Sequence, residues 1–205
     1  MNRVYLELGP KKVFACSADW PGWCRIGKSE ELALDTFMDY VPRYALIAAR
    51  AGVGFAPGDP VVVERVPGSQ MTDFGAPFAV PELDREPLSP QAAERQVALL
   101  RAAWELFDEV AATAPAELRK GPRGGGRDRD KVVDHVTEAE RAYARKLGVR
   151  HKPYKSVADR DVMRAELVGA FLRPPGETGW PVPYALRRTA WHVIDHLWEI
   201  EDKSV

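Results

Sequence analysis

His192 and His196 stand four residues apart in TAWHVIDHLWEIEDK. On a helix, positions i and i+4 share one side, so the two imidazoles stack one turn apart. That spacing suits a transition metal, which takes neutral imidazole nitrogen as a ligand. Arg188, Thr189, Asp195 and Glu199 fall on the same arc, a pattern that also fits the solvated side of an amphipathic helix. The apolar arc, Leu186, Ala190, Val193, Leu197 and Ile200, is widened by Trp191, Ile194 and Trp198 to about half the circumference. A helix so apolar has few surfaces left for water. Its histidine side is therefore expected to face an internal cavity rather than bulk solvent.

The helix that positions the pair runs through Trp180 to Lys203, with Pro181 and Pro183 at its entry and no Gly or Pro after them. Three more helices precede it. Ser89, Pro90 and Gln91 open the first in the order N-cap then N1 proline, and Val97, Leu100, Trp104, Phe107 and Ala111 form its buried stripe. The second spans about 128 to 147, with Val132, Val136, Ala139, Tyr143 and Leu147 on one face and Gly148 as its stop. His135 falls at the edge of that face and points inward, where a hydrogen-bonded core histidine is the commoner outcome. His151, in VRHKPY, reads as exposed. Ser156 caps the third with Asp159 three residues on, Met163, Leu167, Ala170 and Phe171 make its stripe, and Pro174, Pro175 and Gly176 end it. The basic run RKGPRGGGRDR, 119–129, lacks the Gly-Lys-Ser/Thr of a phosphate loop and reads as a solvated flexible loop, with a lid over a site as its second reading.

The first part of the chain changes period. Val4–Leu8, Val13–Ser17 and Trp23–Ile26 read as strands joined by turns at Gly9-Pro10-Lys11 and Pro21-Gly22. Ser29 then caps a helix with Glu30 and Glu31 in its first turn, Pro42 kinks or restarts it, and Pro60–Val66 gives a further strand. The order is β-β-β-α-β, a small sheet covered by a helix. The run ACSADWPGWCRIGKSEELALDTF resembles the core of a HicB-like domain over roughly a quarter of the chain. Such domains often sit beside a DNA-binding module; with no basic ribbon-helix-helix segment here, the resemblance implies a fold and a docking or self-associating role, not transcriptional control. Residues 67–88, with Pro67, Pro77, Pro81 and Pro87, read as a linker whose Met71, Phe74, Phe78, Val80 and Leu83 lie against a surface.

The 205 residues carry 45% hydrophobic and 29% charged side chains and a net charge of −1, which gives no electrostatic footprint for nucleic acid or an acidic membrane. No run reaches the length of a membrane span and no apolar signal core follows the first basic residues, so the chain is expected in the cytoplasm. Cys16 and Cys24 then read as reduced, buried residues on or near strands.

The helix with DHVTEAERAY and the last helix with WHVIDHLWEIED make residues 89–203 similar to the DinB-like superfamily of four-helix bundles. That resemblance implies a divalent metal held by one histidine of the second helix and a His-x-x-x-His pair of the fourth, here His135, His192 and His196. Three imidazoles with an open fourth position are what a catalytic Zn²⁺, Ni²⁺ or Fe²⁺ needs. Glu199 and Glu138 share the ligand side while Asp195 and Asp134 project elsewhere, so Glu199 is the preferred supporting carboxylate, with surface charge as the other reading. Arg188, one turn before His192, is placed to hold a substrate carboxylate, or else is a surface arginine. Related bacterial proteins include transferases and an isomerase that depend on a low-molecular-weight thiol. The expectation is an α+β protein: a HicB-like domain (1–66), a Pro/Gly-rich linker (67–88) and a DinB-like antiparallel four-helix bundle (89–205). Its expected function is that of a metal-dependent thiol S-transferase or hydrolase acting on a small molecule; the alternative is a non-enzymatic metal- or ligand-binding protein whose first domain pairs with a partner or in a homodimer.

Overall fold

In the computed structural model, which describes residues 2–122, 124–173 and 179–204, β1 (Asn2–Leu8) and β2 (Val13–Ser17) form an antiparallel hairpin that β3 (Cys24–Gly27) extends. β4 (Pro60–Pro67) returns parallel to β1, giving the strand order β3-β2-β1-β4. The register pairs Tyr5 with Cys16 and Leu6 with Ala15, so the two faces alternate as the pleat requires. Val4, Leu6, Val13 and Ala15 join one buried cluster, and Tyr5, Phe14, Cys16 and Cys24 join another. Both cysteines are buried free thiols.

Two helices, not one, lie between β3 and β4. Ser29 accepts from the Leu32 N–H to start α1 (Glu30–Asp39), and α2 (Val41–Arg50) begins at once with Pro42 in its first turn. Proline has no N–H to bond back and its ring obstructs the preceding turn, so the helix restarts instead of continuing. Trp23 stacks on Phe37, with ring centroids 4.0 Å apart, and donates Nε1–H to the Phe37 carbonyl at 2.9 Å, fixing α1 over the sheet.

Four longer helices follow: α4 (Pro90–Thr113), α5 (Arg129–Arg145), α6 (Val157–Phe171) and α7 (Val182–Lys203), α3 (Gln70–Phe74) being a short helix before them. Ser89 and Ser156 cap α4 and α6 as read from sequence. The Pro174-Pro175-Gly176 stop lies outside the described residues. α7 is the hub. Every residue from Pro183 to Ile194 is buried, against α4, α5 and the sheet's second face, where Phe14 meets Trp191 edge-on. One cluster of buried side chains runs unbroken from Val4 and Leu6 through Trp104 to Leu197. Among the described residues the architecture is thus mixed α+β, with one four-stranded sheet and seven α-helices. Among the described residues no helix is long and apolar enough to cross a membrane.

Segment 67–88 is a strap. Glu7, fully buried on β1, accepts from Thr72 Oγ1 at 2.6 Å and from the N–H groups of Phe78 and Ala79 at 3.0 and 2.9 Å. On the α7 side, Arg187 pairs with buried Asp84, and Tyr184 and Arg188 donate to the carbonyls of Phe78 and Pro77. Of the apolar residues expected to lie against a surface, Leu83 packs on the cluster of Tyr5, Phe14 and Trp191, while Phe74 is 86% exposed and Met71 and Phe78 are also exposed, since the polar contacts hold the strap without them. Nor are the stems of the basic loop free. Arg119 donates its N–H to the Lys203 carbonyl at 3.0 Å, and Lys120 pairs with Asp128.

The sheet meets α7 at Gly22, whose φ of +85° suits glycine. A Cβ there would lie 2.7 Å from the Ala190 carbonyl carbon and 2.8 Å from the Trp191 nitrogen. Backbone cannot yield as a side chain does. Gly22→Ala is expected to cost about 3 kcal/mol or more from combined strain and clash, read as a lowered urea midpoint with little change in slope.

Candidate metal centre

α5 presents His135 and α7 presents His192 and His196 at one point of their interface. One nitrogen from each lies within 4.8 Å of the others, and His135 Nε2 is 3.1 Å from His192 Nε2. The ring centroids are 4.6 to 4.9 Å apart. Tetrahedral Zn²⁺ with about 2.0 to 2.1 Å bonds separates its ligand nitrogens by roughly 3.3 Å, so small ring rotations close this set. Tyr143, two turns beyond His135, packs edge-on to His192 at 5.8 Å and against Trp180 at 5.4 Å. Because His135 meets the later part of α7 and Tyr143 the earlier, the two helices run antiparallel.

The histidine side of α7 is not a solvated face: His192 and His196 are 5% and 9% exposed, while His135 is half-buried. Burial disfavours the charged imidazolium and pushes the His135 pKa down to about 4, with His196 and Arg127 adding to the effect and Glu199 opposing it. His192 is also held well below the usual imidazole range by the same cause, followed by repulsion from His196, His135, Arg188 and Arg127. Both rings are neutral at pH 7, the state a metal requires.

Glu199 sits where sequence geometry put it. Its Oε2 is 2.5 Å from His196 Nδ1, which leaves Nε2 of that ring for a metal, and Lys203 Nζ holds Oε1 at 2.5 Å. The His196 contact, more than Lys203, brings its pKa down to about 2 against the opposing effect of burial. This histidine–carboxylate pairing fixes a ligand's tautomer and orientation. Glu138 is turned away onto Arg141, and Asp195 pairs with Arg25 at 2.6 Å.

Arg188 is not a surface arginine. It is 7% exposed, stacks over Trp191 with Cζ 4.4 Å from the ring centroid, and donates Nη1–H to the Pro77 carbonyl at 2.6 Å. His151, read as exposed, is half-buried with Nε2 3.0 Å from Glu166 Oε2. Sequence reading missed two contributors. The Glu199–Lys203 pair was legible as an i, i+4 ion pair; Arg127, whose charge reaches His135 and His192 from the basic loop, carried no local signal.

No protein-family model, curated protein or solved structure matches the chain.

A histidine whose folded pKa lies below its unfolded value near 6.5 is destabilising once pH falls below that value, because the unfolded chain binds the extra proton. The thermal midpoint of chelator-treated protein should therefore fall as pH drops from about 6.5 toward the His135 value of about 4. His135→Gln should flatten that part of the profile relative to wild type; identical pH slopes for the two proteins would exclude the burial effect at His135.

Proposed function

We propose that the chain is a DinB-like metal-dependent enzyme in which His135, His192 and His196 hold a divalent ion, Zn²⁺, Ni²⁺ or Fe²⁺. The observation that carries this reading is the convergence of three imidazoles from two helices, two of them buried and one oriented by Glu199. The cluster has three members, as catalytic sites with one open position do, where closed structural sites usually have four. When bound, the ion supplies Lewis acidity that lets a thiol or water lose its proton near neutral pH.

The protein's own groups set the rest. Glu199, itself held by Lys203, fixes the lone pair of His196 toward the centre. Tyr143 and Trp191 wall the site with rings and limit water, and His135 is the more exposed edge through which a small molecule enters. Arg127 places positive charge near that edge, which favours an anionic reactant. Transfer of a low-molecular-weight thiol to a small electrophile is the reaction this centre fits best, with hydrolysis as its second use. The α/β half is proposed to be HicB-like: its three strands, helical cover and returning strand support that reading, although two helices stand where one was expected, and the exposed Val61 and Val63 of β4 would serve a homodimer.

Elemental analysis of untagged protein should find about one divalent metal per chain, lost in His192→Ala, while Glu199→Gln should retain it with about 10- to 100-fold lower affinity. Thiol consumption should then appear only in loaded protein given an electrophile. No metal in wild type, and none taken up from added Zn²⁺ or Ni²⁺, would sink the enzyme reading.

A further inference from the structure

On the face of the sheet that meets α7, Cys16 of β2 stands directly opposite Cys24 of β3. Cross-strand partners project from the same face, so the two thiols lie side by side, in the cluster that also holds Tyr5, Phe14 and Trp191. The type of pair matters. Ser17 donates its N–H to the Trp23 carbonyl at 2.9 Å, which makes Ser17 and Trp23 a hydrogen-bonded pair and Cys16 and Cys24, one step along, a non-hydrogen-bonded one. Antiparallel Cα atoms at such a pair are about 4.5 Å apart, and a disulfide spans Cα separations of roughly 4.4 to 6.8 Å. Rotation about side-chain bonds is then enough to join the sulfurs. Among the described residues neither cysteine belongs to a group of three histidines, cysteines or carboxylates that could share an ion. The reactive partner within reach of each thiol is the other.

We propose that Cys16 and Cys24 form a reversible cross-strand disulfide, made by exchange with a low-molecular-weight disulfide, RSSR. The Cys24 thiolate, which lines a small cavity shared with Pro77 and Tyr184, attacks one sulfur of RSSR and releases RSH. The Cys16 thiolate then attacks the Cys24 sulfur of the mixed disulfide and releases the second RSH. The protein loses two electrons and two protons, and RSSR gains them. Both side chains are buried, and burial raises the Cys16 pKa well above the ordinary thiol value, with the Cys24 thiol beside it adding to the rise. Exchange is therefore slow in the closed fold and proceeds on local opening of the strap. The bond closes the loop 16–24, which carries Gly22 against the α7 backbone. It takes conformational freedom chiefly from the unfolded chain, so the oxidised fold is the more stable one. No step of this chemistry involves the metal centre.

The test uses the full chain, without oxygen, equilibrated in mixtures of reduced and oxidised glutathione. Equilibrium is approached from both sides: from reduced protein, and from protein oxidised in urea and refolded. After acid quench, denaturation and alkylation, trypsin releases Val13–Arg25 with both cysteines on one peptide, because Lys12 precedes it and Arg25 ends it. From either side, buffer rich in oxidised glutathione should give this peptide unalkylated and two hydrogens lighter, and excess dithiothreitol in urea should give it alkylated twice. The oxidised protein should melt several degrees above the reduced one, a difference that vanishes when Cys16→Ala and Cys24→Ala are combined. A doubly alkylated peptide from both sides in the most oxidising buffer, or one carrying glutathione with no internal bond, would overturn the proposal. So would an oxidised protein that melts no higher than the reduced one, since closing the bond would then distort the strands. Both readouts rest on wild type, so they stand if the double variant fails to fold.

Discussion

Twelve consecutive positions of α7, Pro183 to Ile194, have no solvated side, and the neighbouring elements are arranged by what those positions demand. The apolar ones ask only for contact, and α4, α5 and the sheet provide it. The polar ones, Arg187, Arg188, Thr189 and His192, ask for specific partners, since a buried polar group without one loses its hydration and gains nothing. Thr189 answers locally by donating Oγ1–H to the Ala185 carbonyl at 2.8 Å. The others reach outside the helix.

The strap is the clearest answer. By composition it is a linker, yet its carbonyls at Pro77 and Phe78 and its carboxylate at Asp84 are the acceptors that Arg188, Tyr184 and Arg187 use. The sheet fixes the same segment from the opposite side through Glu7. Hydrogen bonds are directional where apolar contacts are not, so these few pairs set the register of sheet, strap and helix together. A second buried network acts likewise between the other helices. Glu140 of α5 accepts from Trp104 Nε1 at 2.5 Å and Arg164 Nε at 3.0 Å, and Arg164 also reaches Asp108. Its pKa is raised by burial, while Arg164 and Trp104 pull the other way.

Local signals in the sequence were read correctly because local chemistry decides them. Ser29, Ser89 and Ser156 cap helices whichever surface those helices later meet, and the short runs Val4–Leu8 and Val13–Ser17, bounded by turn residues, form strands. His192, His196 and Glu199 were equally legible, since i, i+3 and i, i+4 spacings need only a helix; His135, on another helix, joined them only through the family resemblance. Partners far along the chain were not. Nothing near Arg188 tells that its acceptor is a backbone carbonyl 111 residues away, so the sequence left it between a contact to a substrate carboxylate and a place on the surface. Phe74 erred the other way: an aromatic in a Pro-rich segment suggests contact, but a segment pinned by Thr72, Phe78 and Ala79 is free to leave it outside.

Proton bookkeeping within the histidine cluster separates its three members. His196 is committed, for Glu199 holds its Nδ1 as donor and presents Nε2 as a lone pair. His192 has no such support, because its Nδ1 is enclosed with no partner among the described residues. In the metal-free protein its proton belongs on Nε2, donated to His135 Nε2 at 3.1 Å, with a bare and inexpensive lone pair at Nδ1. A metal at His192 Nε2 would force that proton onto Nδ1, where a buried donor without an acceptor is costly. The half-buried His135, by contrast, can turn its second nitrogen to solvent. His192 is therefore the ligand at which the fold resists the ion, and His196 the one at which it is prepared for it.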